Sequence, residues 1–269
     1  MRTERHNAHS RLKTLFAALT AASLILTMAM LLSNVTSKAA QTSSGRPLVG
    51  VIRYDAFTQP DSGDTIREMR YLGPKQYESQ LPFYAVKPTD DTVIFNNATQ
   101  EVVDQEILYA YDAGIDYWAM VYASPYSQYH SMSKIYQLHL SSKYKNLVKF
   151  CFIIYPGYQS DQDIESMIDI MCNPVYQKTP DGKVLLYTFI SNKTDDKDKI
   201  ELQKIKQGLW QAKRLELCII TLNWTVSQAI ADADRWAEFG AVGCSTYIGH
   251  GEHDRTASYA TMAANDKAL

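Results

Sequence analysis

Residues 147–155 read Leu-Val-Lys-Phe-Cys-Phe-Ile-Ile-Tyr, and Pro156-Gly157 follows directly. Apart from Lys149 the run is apolar at odd and even positions alike, so both of its faces are predicted to be covered. Proline lacks the N–H that a ladder needs, and the strand stops there. Residues 162–172 then carry apolar side chains at helical spacing, and Asn173-Pro174 ends that helix. A strand buried on both faces and followed by a helix is one βα unit of a parallel sheet.

The same unit recurs on either side. Strands are predicted at 48–54 (LVGVIRY), 115–122 (IDYWAMVY), 184–189, 217–222 (LCIITL) and 241–247. Helices are predicted at 99–113, 131–142, 197–213 and 226–239. Asn97 or Thr99 can cap the first of these, Glu101 and Asp104 suit its first turn, and Gly114 closes it. Residues 56–97, with Pro60, Pro74, Pro82, Pro88 and the pair Asp90-Asp91, read as one long functional loop. Two α/β architectures fit this alternation. One is a (β/α)8 barrel of TIM type, incomplete with about six units present; the other is an open doubly wound parallel sheet. The final stretch, 257–269, lacks a strand or a strong helical face, which favours the interrupted barrel.

The chain has 269 residues, 46% hydrophobic and 21% charged, with a formal net charge of -2. That excludes a disordered chain and gives no basic field for nucleic acid. Arg2, Arg5, Arg11 and Lys13 precede an uncharged run over 15–32, and Ser37-Lys38-Ala39 offers small residues at a cleavage site. Residues 1–39 therefore read as a signal peptide, 40–47 as a short linker and 48–269 as the barrel domain. The expectation is a secreted protein, with an uncleaved membrane anchor over 15–32 as the alternative. Four cysteines are too few for a disulfide scaffold and are expected as buried free thiols. Asn34, Asn97, Asn192 and Asn223 each begin an N-glycosylation triplet.

In α/β folds, ligands gather beyond the carboxyl ends of the strands. Those positions hold Tyr54 and Asp55, then Tyr122, Tyr155, Asn223 and Trp224, and finally Tyr247, His250 and Glu252. Aromatic faces stack on the C–H faces of sugar rings, while amides and carboxylates bond hydroxyls, so this list predicts a carbohydrate cleft. The 18 tyrosines, against 8 phenylalanines and 4 tryptophans, agree with it. His250-Gly-Glu-His-Asp254 lacks the His-Glu-x-x-His spacing that sets two imidazoles on one helix face, and reads as a polar loop without metal. No dinucleotide loop, Walker loop or nucleophile elbow is present, so no cofactor is expected.

Three segments carry a family resemblance: VVDQEILYAYDAGIDYWAMVYAS (102–124), KFCFIIYPG (149–157) and NPVYQKTPDGKVLLYTF (173–189). In this order they resemble glycoside hydrolase family 99-like and WbsX-like proteins, with Val184 where that family often has proline. The resemblance covers roughly 48–250. It implies a (β/α)8 barrel acting on mannose-containing or surface polysaccharide. It also implies a retaining route through two glutamates in an Asn-Glu-Trp-like segment after a late strand. This chain has no such segment, so the resemblance puts the pair beyond residue 269 and assigns no catalytic role to Asp55 or Glu252. The expected partner is an oligo- or polysaccharide. The alternative is a glycan-binding or polysaccharide-assembly protein without catalysis.

Overall fold

The structure, a computed structural model, describes residues 46–55, 58, 62–126, 130–189 and 196–246. The described residues from Leu48 onward form one compact unit. Its centre is a six-stranded parallel sheet of β1 (Gly50–Arg53), β4 (Tyr117–Val121), β5 (Lys149–Ile154), β6 (Val184–Phe189), β7 (Leu217–Asn223) and β8 (Ala241–Thr246), paired in that order. Each connection from β4 onward runs through one helix: α3 (His130–Ser141), α4 (Asp161–Met171), α5 (Asp196–Lys213) and α6 (Val226–Glu238). The path from β1 to β4 includes α2 (Gln100–Asp112).

Strand order separates the two architectures left open by the sequence. Parallel crossovers are right-handed, so a sheet that always adds the next strand on the same side keeps its helices on one face. A doubly wound sheet must reverse direction part-way. No reversal occurs, which excludes the doubly wound alternative and gives the barrel succession. Among the described residues this sheet has six strands, β1 and β8 form its two edges, and the ring is incomplete.

Side-chain alternation fixes which face is which. Trp118, Tyr122, Phe150 and Phe152 meet Tyr136 or His139 of α3, so these positions face the helices. Tyr117, Cys151 and Tyr187 lie on the opposite, inner face. There the Tyr117 and Tyr187 hydroxyls meet at 2.9 Å across β5. The helical layer adds Ile164, Met167 and Met171 from α4 and Leu202, Ile205 and Leu209 from α5, all buried. Gly208 lets α5 approach α4 closely, because a Cβ there would collide with Ile168.

Helix starts follow capping chemistry. Thr99 accepts from the Val102 N–H at 3.3 Å, so Thr99 and not Asn97 caps α2. Ser160 and Asp163 form a reciprocal capping box at the start of α4. Gly114 after α2 and Gly240 after α6 take φ of 79° and 81°, the left-handed conformation that glycine adopts at no steric cost.

The predicted long loop over 56–97 is largely ordered structure. It contains α1 (Gly63–Leu72), a 3-10 helix (Lys75–Gln80) and an antiparallel ribbon of β2 (Val86–Thr89) and β3 (Thr92–Ile94). Its prolines suggested breaks, but Pro74 sits just before the 3-10 helix and Pro88 lies in a two-stranded ribbon, where a strand tolerates a missing donor. Ser62 caps α1 by accepting from the Thr65 N–H at 3.2 Å.

All four cysteines are free. Cys151 and Cys218 are buried as expected; Cys172 is half-buried and Cys244 is exposed, because β8 is an edge strand. No described helix is long and apolar enough to cross a membrane, and the apolar run over 15–32 lies outside the described residues.

Candidate functional site

The inner face ends, at the carboxyl ends of β5, β6 and β7, in a ladder of aromatic rings. Tyr155 stacks on Phe189 at 4.6 Å with planes 15° apart, and Phe189 stacks on Trp224 at 5.4 Å and 21°. The register that pairs Ile153 with Tyr187 brings the ends of β5 and β6 level, and the pairing of Phe189 with Leu222 carries Trp224 alongside. Phe189 is 3% exposed, whereas Tyr155 and Trp224 are 43% and 45% exposed. A buried central ring thus props two outer rings whose free surface faces solvent. Offset stacking of this kind adds about 1 kcal/mol per pair beyond the area buried.

The loop after β5 carries Tyr155 and is held from α5. The Glu201 side chain accepts from the Gly157 N–H at 2.8 Å and the Gln159 N–H at 3.0 Å through one oxygen. Gly157 has φ 85°, and a Cβ there would strike Asp198. Burial pushes the Glu201 carboxyl up to about 7; the backbone donors oppose this and neighbouring Asp198 adds to it.

The loop after β4 is held by Asp163 of α4. Tyr122 donates to it at 3.2 Å and the Ser160 hydroxyl at 2.6 Å. Burial would raise this carboxyl, but hydrogen bonds from Ser124, Ser160 and Tyr122 outweigh it and hold Asp163 below the usual carboxylate range. The loops after β4 and β5 therefore each have a carboxylate anchor.

The predicted site residues do not all come together. Tyr155 and Trp224 come together at the mouth, joined by Phe189. Tyr54 is exposed at the end of β1. Tyr122 sits on the helix side, 6% exposed, stacked against Tyr136 and edge-on to Phe152. Asn223 is buried and donates to the Ser245 carbonyl at 3.4 Å. Asp55 is buried beside Arg53. Tyr247, His250 and Glu252 lie outside the described residues, as does the rest of the 250–254 cluster. Burial of Asn97 and Asn223 also leaves no room for a glycan at either triplet in the folded chain.

Phe189, Glu201, Asp163 and Arg53 were not singled out in the sequence. Phe189 had a readable signal: it ends β6 at the register position beside Tyr155. Glu201 and Asp163 had none, because a helix carboxylate reaching back to a loop has no fixed spacing from it.

Behind β1 lies a cavity of about 510 Å³. Arg53 spans it, donating through Nε to Asp55 and through Nη2 to Glu106 of α2, both at 2.8 Å. Its guanidinium lies 4.7 Å from the centre of the Trp118 ring. Among the described residues no group of three or more His, Cys, Asp or Glu could hold a metal ion.

No protein-family profile and no curated protein matches the chain. Among solved structures, the GH99 endo-alpha-mannosidase from Bacteroides thetaiotaomicron is similar over 81% of this chain and 66% of its own, at 14% identity. Its TM-score is 0.44 with bound BIS-TRIS-propane and 0.45 in a second structure. Hexahistidine-tagged anSMEcpe with bound AdoMet follows at 11% identity and TM-score 0.30, over 79% of this chain and 54% of its own. The chain spans just under two thirds of the mannosidase's length, and likeness at this level says nothing of catalysis.

Proposed function

We propose that this chain is the glycan-holding part of an exported carbohydrate-active protein, a glycoside hydrolase of the family 99-like type acting on mannose-containing or surface polysaccharide. The observation that carries the reading is the ladder Tyr155–Phe189–Trp224 at the carboxyl ends of three adjacent strands. In this stack the outer faces of Tyr155 and Trp224 turn away from Phe189, so each suits the C–H face of one sugar, with ring edges as the apolar surface between them. Residues 1–39 act in this reading as the export signal.

Hydrolysis needs two carboxyl groups flanking the bond. Among the described residues the carboxylates Asp163, Glu201, Asp55 and Glu106 are committed elsewhere: Asp163 to its cap, Glu201 to the loop after β5, Asp55 and Glu106 to Arg53. That observation favours a second reading, glycan binding without turnover by residues 48–269. One experiment separates them. Mannan oligosaccharides are titrated against Trp224 fluorescence in the chain and in Trp224→Ala by calorimetry, and reducing-sugar release is followed in parallel. Saturable binding lost at least tenfold in Trp224→Ala supports the saccharide site, and release of reducing sugar supports the hydrolase. Absence of saturable binding to any mannan or surface polysaccharide overturns both readings.

A further inference from the structure

The turn that follows Tyr155 is tied in two ways. Within it, the Gln159 side chain donates from Nε2 to the Tyr155 carbonyl at 3.4 Å. From behind, Oε2 of Glu201 accepts from the Gly157 and Gln159 N–H groups. Glu201 is 4% exposed, and its other oxygen, Oε1, is buried without a hydrogen-bond partner among the described residues. Asp198, three residues earlier on α5 and also buried, has its carboxyl where a Cβ on Gly157 would stand. Two acidic side chains of one helix are thus buried against a single turn.

Glu201 has no ion pair among the described residues, and the basic groups of α5 are engaged elsewhere or exposed. Lys204 pairs with Asp161 at the start of α4, Lys199 lies over the Phe239 ring, and Lys206 donates to the Phe239 carbonyl. Asp196 and Lys197 are exposed in the first turn of α5. On α4, Asp163 is taken by Ser160 and Tyr122. The turn itself adds Tyr158, which is exposed. An ionised Glu201 in the closed turn would leave charge on an oxygen without a donor, next to a second acidic side chain. The neutral carboxyl avoids that cost.

We propose that Glu201 is a proton-dependent positioning residue for Tyr155. Protonated, it closes the turn over 157–159 and keeps the Tyr155 ring in the ladder. Once the proton is lost, the carboxyl is better served by water, and the turn opens while the strands and helices beneath it stay packed. Burial and then Asp198 raise this group to about 7 against the pull of the backbone donors, above the ordinary 4.5 that it regains in an open turn. Closure is therefore full below 4.5 and weakens by up to about tenfold per pH unit until about 7, beyond which it falls no further. For its functional consequence, a saccharide affinity that falls toward alkaline pH, the inference rests on the saccharide reading of the ladder.

The test follows amide hydrogen exchange over 157–159 in the full chain and in Glu201→Gln at pH 5.5 and 8.5. Rates are corrected for the intrinsic effect of pH, and circular dichroism checks that the chain is folded at both values. Protection in the parent falls at least tenfold at the higher pH and is unchanged in Glu201→Gln. Asp198→Asn, which removes the neighbouring charge, shows a smaller fall than the parent and decides if Glu201→Gln does not fold. Mannan oligosaccharides, titrated by calorimetry, bind the parent at least threefold more weakly at pH 8.5 than at pH 5.5, and bind Glu201→Gln equally at both. Constant protection in the parent, or an undiminished fall in the folded variants, overturns the proposal. A fall in protection with pH-independent saccharide affinity also overturns it, because the turn would then not position Tyr155 for binding. Saccharide binding at neither pH, with the pH-dependent protection intact, supports the proton-dependent turn and overturns the saccharide reading alone.

Discussion

The hydroxyls of Tyr117 and Tyr187, 70 positions apart in sequence, lie 2.9 Å from each other over the inner face of β5. Their strands are separated by two strand spacings, roughly 10 Å in a flat sheet. Two tyrosines converge across that gap, with Cys151 between their strands, on the face turned away from the helices. The contact bridges β4 and β6 over β5.

Gly50 makes this contact possible. A side chain at that position would run into the Tyr117 ring, so Gly50→Ala displaces the tyrosine and removes its bond to Tyr187. Overpacking of this kind costs about 1–3 kcal/mol. Urea unfolding of Gly50→Ala should show that loss, and Tyr187→Phe alone should cost about 1 kcal/mol. In the double variant the two losses should not add, since both act on one contact.

The ladder should divide stability from binding. Phe189 is buried, and Phe189→Ala is expected to cost about 3–5 kcal/mol by leaving a cavity between Tyr155 and Trp224. Trp224 is half-exposed, and Trp224→Ala should change the urea midpoint little. A large destabilisation in Trp224→Ala would make that ring a packing element instead of a platform.

Glu201 predicts a loss of stability toward alkaline pH. Its folded-state pKa of about 7 lies above the ordinary 4.5, so between these values the folded chain holds a proton that the unfolded chain releases. Stability contributed by this group is therefore full below 4.5 and lost as pH rises through about 7. Glu201→Gln keeps an acceptor for Gly157 and Gln159 and carries no charge. It should be more stable than the parent by about 1–2 kcal/mol at pH 8 and little changed at pH 5. Chemical unfolding at the two pH values checks this.

His139 predicts a loss toward acid. It is wholly buried between Trp118 and Phe150, and burial, with Arg53 nearby, lowers its pKa to about 4. From 6.5 down to 4 the unfolded chain takes a proton that the folded chain refuses. Stability from this group is complete above 6.5 and falls by up to about 3 kcal/mol as pH drops to 4. A His139→Phe variant that still folds should show a flatter pH profile between those values, measured by thermal or urea unfolding.

How far the sequence could be read depended on the range of each interaction. The six core strands and the helices from α2 to α6 were legible because continuous apolar runs and 3.6-residue spacing are local signals. The segment over 63–94 was misread because proline marks both the beginning of an element and its interruption, and residue type alone does not say which. Tyr155 and Trp224 were legible as strand-end aromatics. Tyr122, Asp55 and Asn223 looked equivalent, yet each sits one position out of phase and faces the helices, since a single-residue step along a strand reverses the side chain.

By itself the sequence determined the units: which residues alternate between strand and helix, and that the strands are covered on both faces. Tertiary structure alone decided the order in which strands pair, and with it the choice between a ring and a doubly wound sheet. It also brought Phe189 between Tyr155 and Trp224, and Arg53 between Asp55 and Glu106. The physical reason is that apolar periodicity is written within a few residues, whereas register, charge pairing and ring stacking join side chains whose separation along the chain carries no repeat.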